Sequence, residues 1–265
     1  MEQGKIVLIG AGNVARHLAA ALLAAGGNLC QVYSRGEEAA RELGRRTGVA
    51  YTTDPREMIP DGDVYIYCVN DDALPAVLKT TRVKGNPLLL HVSGNLPAAI
   101  LKPYARDHGV IYPLQTFSRE RELDFREIPL FIEGSSPAVL ERVRKLCEEL
   151  SDKVYAANSE QRERLHLAAV FACNFPNALY RVAGELLEGS GFPFPVLRPL
   201  ILETASKVMT LSPAAAQTGP AARGDEKTIA RHEKRLRSAD NEIRELYALL
   251  SARIKRETGE QEISR

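Results

Sequence analysis

The stretch Lys5-Ile-Val-Leu-Ile-Gly-Ala-Gly-Asn-Val-Ala-Arg-His-Leu-Ala-Ala-Ala-Leu-Leu-Ala-Ala-Gly26 decides how this chain is read. Lys5 to Ile9 is rich in β-branched residues and Leu, as a strand buried on both faces requires. Asn13 to Ala25 is an Ala/Leu-rich run of helical character that stops at Gly26-Gly27. Between the two, Gly10, Gly12 and Ala15 fit the Gly-x-Gly-x-x-Gly/Ala turn. Gly10 permits the tight turn, Gly12 lets backbone approach a pyrophosphate, and Ala15 keeps the helix close to the strand. The helix start, with Asn13 and Val14, offers unpaired N–H groups to an anion. Small residues also make ordinary turns, but the strand before and the helix after this one predict a dinucleotide site.

A second strand, Leu29 to Tyr33, ends at Ser34-Arg35-Gly36. An NAD site places an acid there for the ribose hydroxyls. A small hydroxyl and a guanidinium suit a 2′-phosphate instead, so the expected cofactor is NADP(H), with Ser34 and Arg35 as its phosphate ligands. The alternative is a surface turn with an incidental arginine. Further strands are expected at Ala50–Thr52, Val64–Val69, Leu88–Val92, Val110–Tyr112, Pro129–Ile132 and Lys153–Ala156, with helices over 37–47, from Asp71 through about Lys79, and over 137–150. Several of these strands end in small or polar residues, where an open parallel sheet places its ligand loops. Val69 and Asn70 are therefore assigned to the cofactor, and Ser93 and Asn95 to the nicotinamide or substrate. Asp71-Asp72 reads as a helix cap.

From Asn158 the composition turns helical. One long segment reaches about Leu187 with a kink expected at Pro176, a second spans Phe194–Leu211, and two more lie near Glu226–Arg237 and Asp240–Glu257, before a frayed polar tail. The expected organisation is a doubly wound, mostly parallel α/β sheet over 1–156 followed by an all-α domain over 157–265. On the long helix His166, Val170 and Asn174 are four apart and share a face. Either these polar groups satisfy backbone opened by the kink, or the face lines a substrate pocket in which His166 protonates an oxygen or nitrogen as hydride arrives. In the loop Gln217-Thr-Gly-Pro-Ala-Ala-Arg-Gly-Asp225, Arg223 offers a fork for a carboxylate, or pairs with Asp225 as a local clasp.

The totals narrow the field. A net charge of +1 in 265 residues gives no support for a nucleic-acid or acidic-membrane partner. Four cysteines stand far apart without a Cys-x-x-Cys pair, as buried thiols of a reducing compartment do; neither a zinc site nor a disulfide framework is expected. No stretch reaches about 18 uncharged apolar residues, and Glu2 with Arg16-His17 argues against a signal peptide, so a cytoplasmic location is expected.

The nucleotide-binding half, with Ser34-Arg35 and the long helix after it, resembles the 6-phosphogluconate dehydrogenase-like superfamily, which includes pyrroline-5-carboxylate reductase, β-hydroxyacid dehydrogenases and ketopantoate reductase. Four motifs, His91-Val-Ser-Gly94, Tyr112-Pro-Leu-Gln-Thr-Phe117, His166-Leu-Ala-Ala-Val-Phe-Ala-Cys-Asn-Phe175 and Thr218-Gly-Pro-Ala-Ala-Arg-Gly-Asp225, resemble one branch of it. That branch joins a Rossmann-like NADP domain to a helical domain of unknown function (number 2520). The resemblance implies an NADP-dependent oxidoreductase that dimerises through its helical domain. Two departures stand out. The Lys-x-x-x-Asn pair of the dehydrogenases is missing, because Val170 precedes Asn174, and Tyr112 stands where many members of the branch carry His. The expected reaction is hydride transfer from NADPH to a small oxo acid (ketopantoate-like) or a cyclic imine held by Gln115, His166, Asn174, Arg223 and Ser93. The alternative is an NADP-binding sensor or scaffold without turnover.

Overall fold

The computed structural model describes residues 4–263. They form two compact units, one ending at Asn174 and the other beginning at Phe175. The boundary expected at residue 157 falls where the sheet ends; the first unit continues through one more helix.

In the first unit the chain runs β1 (Ile6–Ile9), α1 (Asn13–Ala24), β2 (Leu29–Tyr33), α2 (Glu37–Thr47), β3 (Ala50–Thr52), β4 (Val64–Tyr67), α3 (Leu74–Thr80), β5 (Leu88–His91), β6 (His108–Pro113), β7 (Leu130–Gly134), α4 (Pro137–Glu148), β8 (Val154–Ala156) and α5 (Ser159–Ala169). The strands form one sheet in the order β3-β2-β1-β4-β5-β6-β7-β8. All pairs are parallel except β6 with β7. The order reverses between β1 and β4, the crevice where open α/β sheets take their ligands.

β1 is buried on both faces, as its composition requires. Ile6 and Leu8 pack with Ala15, Leu18, Ala19 and Leu22 of α1. Val7 and Ile9 pack on the other face with Tyr65, Tyr67, Leu74 and Leu78. Arg16 of α1 donates two 2.6 Å hydrogen bonds to Glu42 of α2, and this holds the Glu42 carboxyl down to about 2. Neighbouring helices on one face of the sheet are thereby joined by a bidentate pair.

Some element limits differ from the sequence expectation for identifiable reasons. β4 stops at Tyr67, and the Cys68 N–H makes one further bond across to the Ile9 carbonyl of β1, at 2.6 Å. β6 begins earlier, at His108, because parallel pairing with β5 starts there, opposite Leu89, and antiparallel pairing with β7 starts one residue on, at Gly109 opposite Gly134. Asp71 and Asp72 lie in a 3₁₀ turn, Asp71–Ala73, entered from Asn70, and no side-chain cap bond closes it.

In the second unit, α6 (Phe175–Leu187) is followed by a 3₁₀ turn at Phe194–Leu197 and by α7 (Arg198–Lys207), α8 (Pro213–Ala216), α9 (Glu226–Arg235) and α10 (Asn241–Ile263). The single helix expected over 194–211 is divided because Pro199 belongs in a first helical turn, where its missing N–H costs nothing. α10 runs past the expected end at Glu257, and the last two residues of the expected tail lie outside the described residues. α6 and α7 bury no residue in this unit: Leu200 and Leu202 are 64% and 68% exposed, and Met209, just past α7, is 82% exposed. No described helix is long and apolar enough to cross a membrane.

Gly10 has φ +117°, and a Cβ there would lie 2.2 Å from the Cys68 carbonyl oxygen. Backbone conformation and close approach both demand glycine. Gly10→Ala is expected to lower the unfolding free energy by about 1–3 kcal/mol, measured by denaturant titration; unchanged stability would show that the turn tolerates a side chain.

Candidate active site

Gly12 is the N-cap of α1. No side chain caps this end, and no acid stands in the first turn. A Cβ on Gly12 would meet nothing within 4 Å. The first N–H groups of a twelve-residue helix therefore face open space, which is what a pyrophosphate requires. At the end of β2, Ser34 is half-buried and Arg35 exposed. These residues fit a phosphorylated dinucleotide, which when bound supplies a hydride to an acceptor.

A cavity of about 760 Å³ lies against this turn. It brings together Gly12, Asn13, Val14, Val69 and Asn70 of the expected cofactor site with Gln115, His166 and Asn174 of the expected substrate site. Its described lining contains no Lys, Arg, Asp or Glu, so dipoles and the helix terminus dominate its electrostatics. A second cleft of about 790 Å³, on the outer face of α1 between Arg16 and Arg126, has charged walls of both signs and none of the residues of the glycine turn. Among the described residues no group of three or more His, Cys, Asp or Glu is placed to hold a metal ion.

The α5 side of the cavity continues into a π-helical turn, Val170–Asn174. Here the irregularity expected from Pro176 is expressed, because a proline ring displaces the carbonyl four residues earlier and the turn before it widens. Asn174 ends this turn. Asn13 also holds the opposite wall, its Nδ2 donating to the Phe117 carbonyl at 2.9 Å. His17, one turn on, contacts the Ser118 carbonyl at 3.0 Å, and its ring lies 5.0 Å from that of Phe117. Ser93 is placed differently from its expected role: its hydroxyl accepts from the N–H groups of Asn95 and Leu96 and closes the turn after β5. Arg223, exposed, belongs to the second unit. Asp225 caps α9 by accepting from the Thr228 N–H at 3.0 Å; hydrogen bonding from the Thr228 side chain, then from this N–H, lowers its carboxyl pKa ahead of the Arg223 charge.

Sequence reasoning missed the support beneath this cavity. Arg162 of α5 is fully buried and forms an ion pair with Glu133 at the end of β7. It also donates to the carbonyls of Ser93, at 3.1 Å, and Leu96. The Ser159 hydroxyl donates to Glu133 at 2.9 Å. Burial, followed by the Arg162 charge, pushes His91 down to about 4, so its ring is neutral near pH 7. Its Nδ1 accepts from the Ser93 N–H at 3.2 Å, which leaves Nε2 to donate to Pro97. Tyr112, at the end of β6, places its hydroxyl 3.2 Å from His166 Nδ1, the rings meeting edge to face at 6.0 Å. Burial raises the Tyr112 pKa, and the Arg162 charge opposes the rise. The available signal was a lone acid closing the apolar run Leu130-Phe-Ile, with an arginine one turn before His166.

Comparison with known proteins agrees with this geometry. Residues 5–92 match the family described as NADP oxidoreductase, coenzyme F420-dependent, and residues 128–254 match domain of unknown function 2520. No curated protein matches the chain. A solved structure from Bacteroides fragilis, described as a candidate NADP oxidoreductase, is 46% identical over 96% of this chain and 99% of its own, with a TM-score of 0.88. A pyrroline-5-carboxylate reductase from Streptococcus pyogenes shares the fold at 13% identity, covering 98% of this chain and all of its own, with a TM-score of 0.61. One from Plasmodium falciparum, solved with NADP bound, covers 97% and 99% at 12% identity and a TM-score of 0.58. Glycine turn, cavity and likeness together place the chain: it belongs to the NADP-dependent oxidoreductase family that joins a Rossmann domain of this kind to domain of unknown function 2520.

Proposed function

We propose that this protein reduces a small carbonyl or imine compound, a 2-oxo acid or a cyclic imine, with hydride from NADPH. One observation carries the reading: a single cavity joins the uncapped start of α1 to Gln115, His166 and Asn174. In this reading Gly10, Gly12, Asn13, Val14, Val69 and Asn70 hold the dinucleotide, and Ser34 with Arg35 its 2′-phosphate. Gln115 and Asn174 orient the acceptor, Ser93 shapes the loop beside it, and His166 supplies the proton. The chain's own contribution is alignment and a fixed field of dipoles. The lining, free of Lys, Arg, Asp and Glu, favours an imine without a carboxylate. A 2-oxo acid would need a cation that this lining does not supply.

The exposed apolar side chains of α6 and α7 support a homodimer formed through the helical unit, and four free cysteines suit the cytoplasm. A second reading, a nucleotide-binding sensor without turnover, draws on Val170 in the place of a catalytic lysine. NADPH oxidation against a panel of oxo acids and imines separates the two. Tight binding with no turnover on the whole panel would favour the sensor.

Arg35→Ala is expected to weaken NADPH binding by about 1–3 kcal/mol more than NADH binding in calorimetric titration; equal losses would overturn the assignment of the 2′-phosphate. His166→Gln should lower turnover and leave NADPH affinity intact, and unaltered turnover would remove His166 from the chemistry. Replacing Leu200 and Met209 with Glu should shift sedimentation toward the monomer. A variant that sediments like the parent protein would exclude this face as the dimer contact.

A further inference from the structure

Three separate elements meet at one point above the buried ion pair: the turn after β5 through Gly94, the end of β6 through Tyr112, and α5 through His166. The Tyr112 hydroxyl and His166 Nδ1 are 3.2 Å apart. Gly94 is buried, and a Cβ on it would lie 2.7 Å from Tyr112 Cζ and 2.9 Å from His166 Nδ1. Glycine at this position is what allows the backbone to close over the contact. Tyr112 is buried and His166 exposed, and both line the cavity.

We infer that Tyr112 is the group that hands the proton to the reduced substrate, and that His166 refills it through Nδ1. This rests on the reductase reading above. As hydride adds to the carbonyl or imine carbon, the Tyr112 O–H bond breaks and its proton joins the substrate oxygen or nitrogen. The Nδ1–H proton of an imidazolium at His166 moves to the phenolate oxygen, and the neutral ring regains a proton from solvent. Charge and atoms balance: one hydride from NADPH and one proton from water give the alcohol or amine and NADP⁺. The order of the two groups follows from their surroundings. A phenolate is costly to leave in a buried position, so proton loss from Tyr112 needs a donor already in contact with it, and His166 is that donor. Exposed His166 has freer access to water than Tyr112, which is 8% exposed. Arg162, held by Glu133 and bonded to the Ser93 and Leu96 carbonyls, fixes the turn that presents Gly94 and the helix that presents His166, which makes it a positioning residue.

Two readouts test this. In cofactor-free protein labelled with ¹⁵N-histidine, the His166 signal, identified by its loss in His166→Gln, is expected to move in both Tyr112→Phe and Gly94→Ala, while that of His232 stays in place. An unmoved His166 signal in Tyr112→Phe overturns the contact and the relay with it. In turnover, Tyr112→Phe should lower kcat about 100-fold or more on 1-pyrroline, or on whichever oxo acid or imine of the panel the parent protein reduces, with NADPH affinity unchanged. The loss should be at least as large as that of His166→Gln. N-methyl-1-pyrrolinium, which accepts hydride without needing a proton, should be spared. A Tyr112→Phe enzyme as active as its parent, or one much less impaired than His166→Gln, overturns the relay alone. A parent protein that oxidises NADPH with none of the compounds overturns the reductase reading, and the relay falls with it.

Discussion

Arg162 is buried with all of its charge, and the geometry of the cavity depends on how that charge is satisfied. An unpaired guanidinium in the interior would cost several kcal/mol, so the chain surrounds it with acceptors: Glu133 from β7, and the carbonyls of Ser93 and Leu96 from the turn after β5. The acceptors come from two distant parts of the sequence. Satisfying one side chain therefore fixes α5 against two strand ends at once. His166 lies one helical turn beyond Arg162, so its ring is aimed by the same anchor. Buried ion pairs are weak sources of net stability, but breaking one leaves an uncompensated charge, and that asymmetry makes the arrangement specific.

The other wall is held by the cofactor helix itself. Asn13 and His17 of α1 bind the Phe117 and Ser118 carbonyls, so the helix whose N-terminus is open to phosphate also holds the loop that carries Gln115. Between the walls the lining contains no Lys, Arg, Asp or Glu. In such a cavity oriented amides and a helix terminus act with little reorganisation, while the proton-donating groups, Tyr112 and His166, stand at one side.

The fold was largely legible in the sequence because parallel strands buried on both faces have a strong signature. Ile6–Ile9 reads as strand whatever surrounds it, and Gly10 and Gly12 mark where backbone must turn and where it must be approached. The motif residues after β1 and β4, with His166 and Asn174 at helical spacing, do line one cavity. Ser93 was harder to read. A hydroxyl after a strand serves equally to touch a ligand or to close a turn, and only its two N–H donors distinguish the cases. The helix limits shifted where proline chemistry intervened, with Pro176 widening a turn and Pro199 opening a new helix.

By itself the sequence determined the strand-turn-helix that accepts a dinucleotide, the order of α/β elements and the helical second half, since all of these follow from local spacing and the periodicity of burial. Only the tertiary structure decided that Tyr112, Gly94 and His166 converge, and that Arg162 and Glu133 stand beneath them. These residues come from separate strands, a turn and a helix. Their meeting depends on strand order and on the need to neutralise one buried charge, and neither is written in the spacing of residues along the chain.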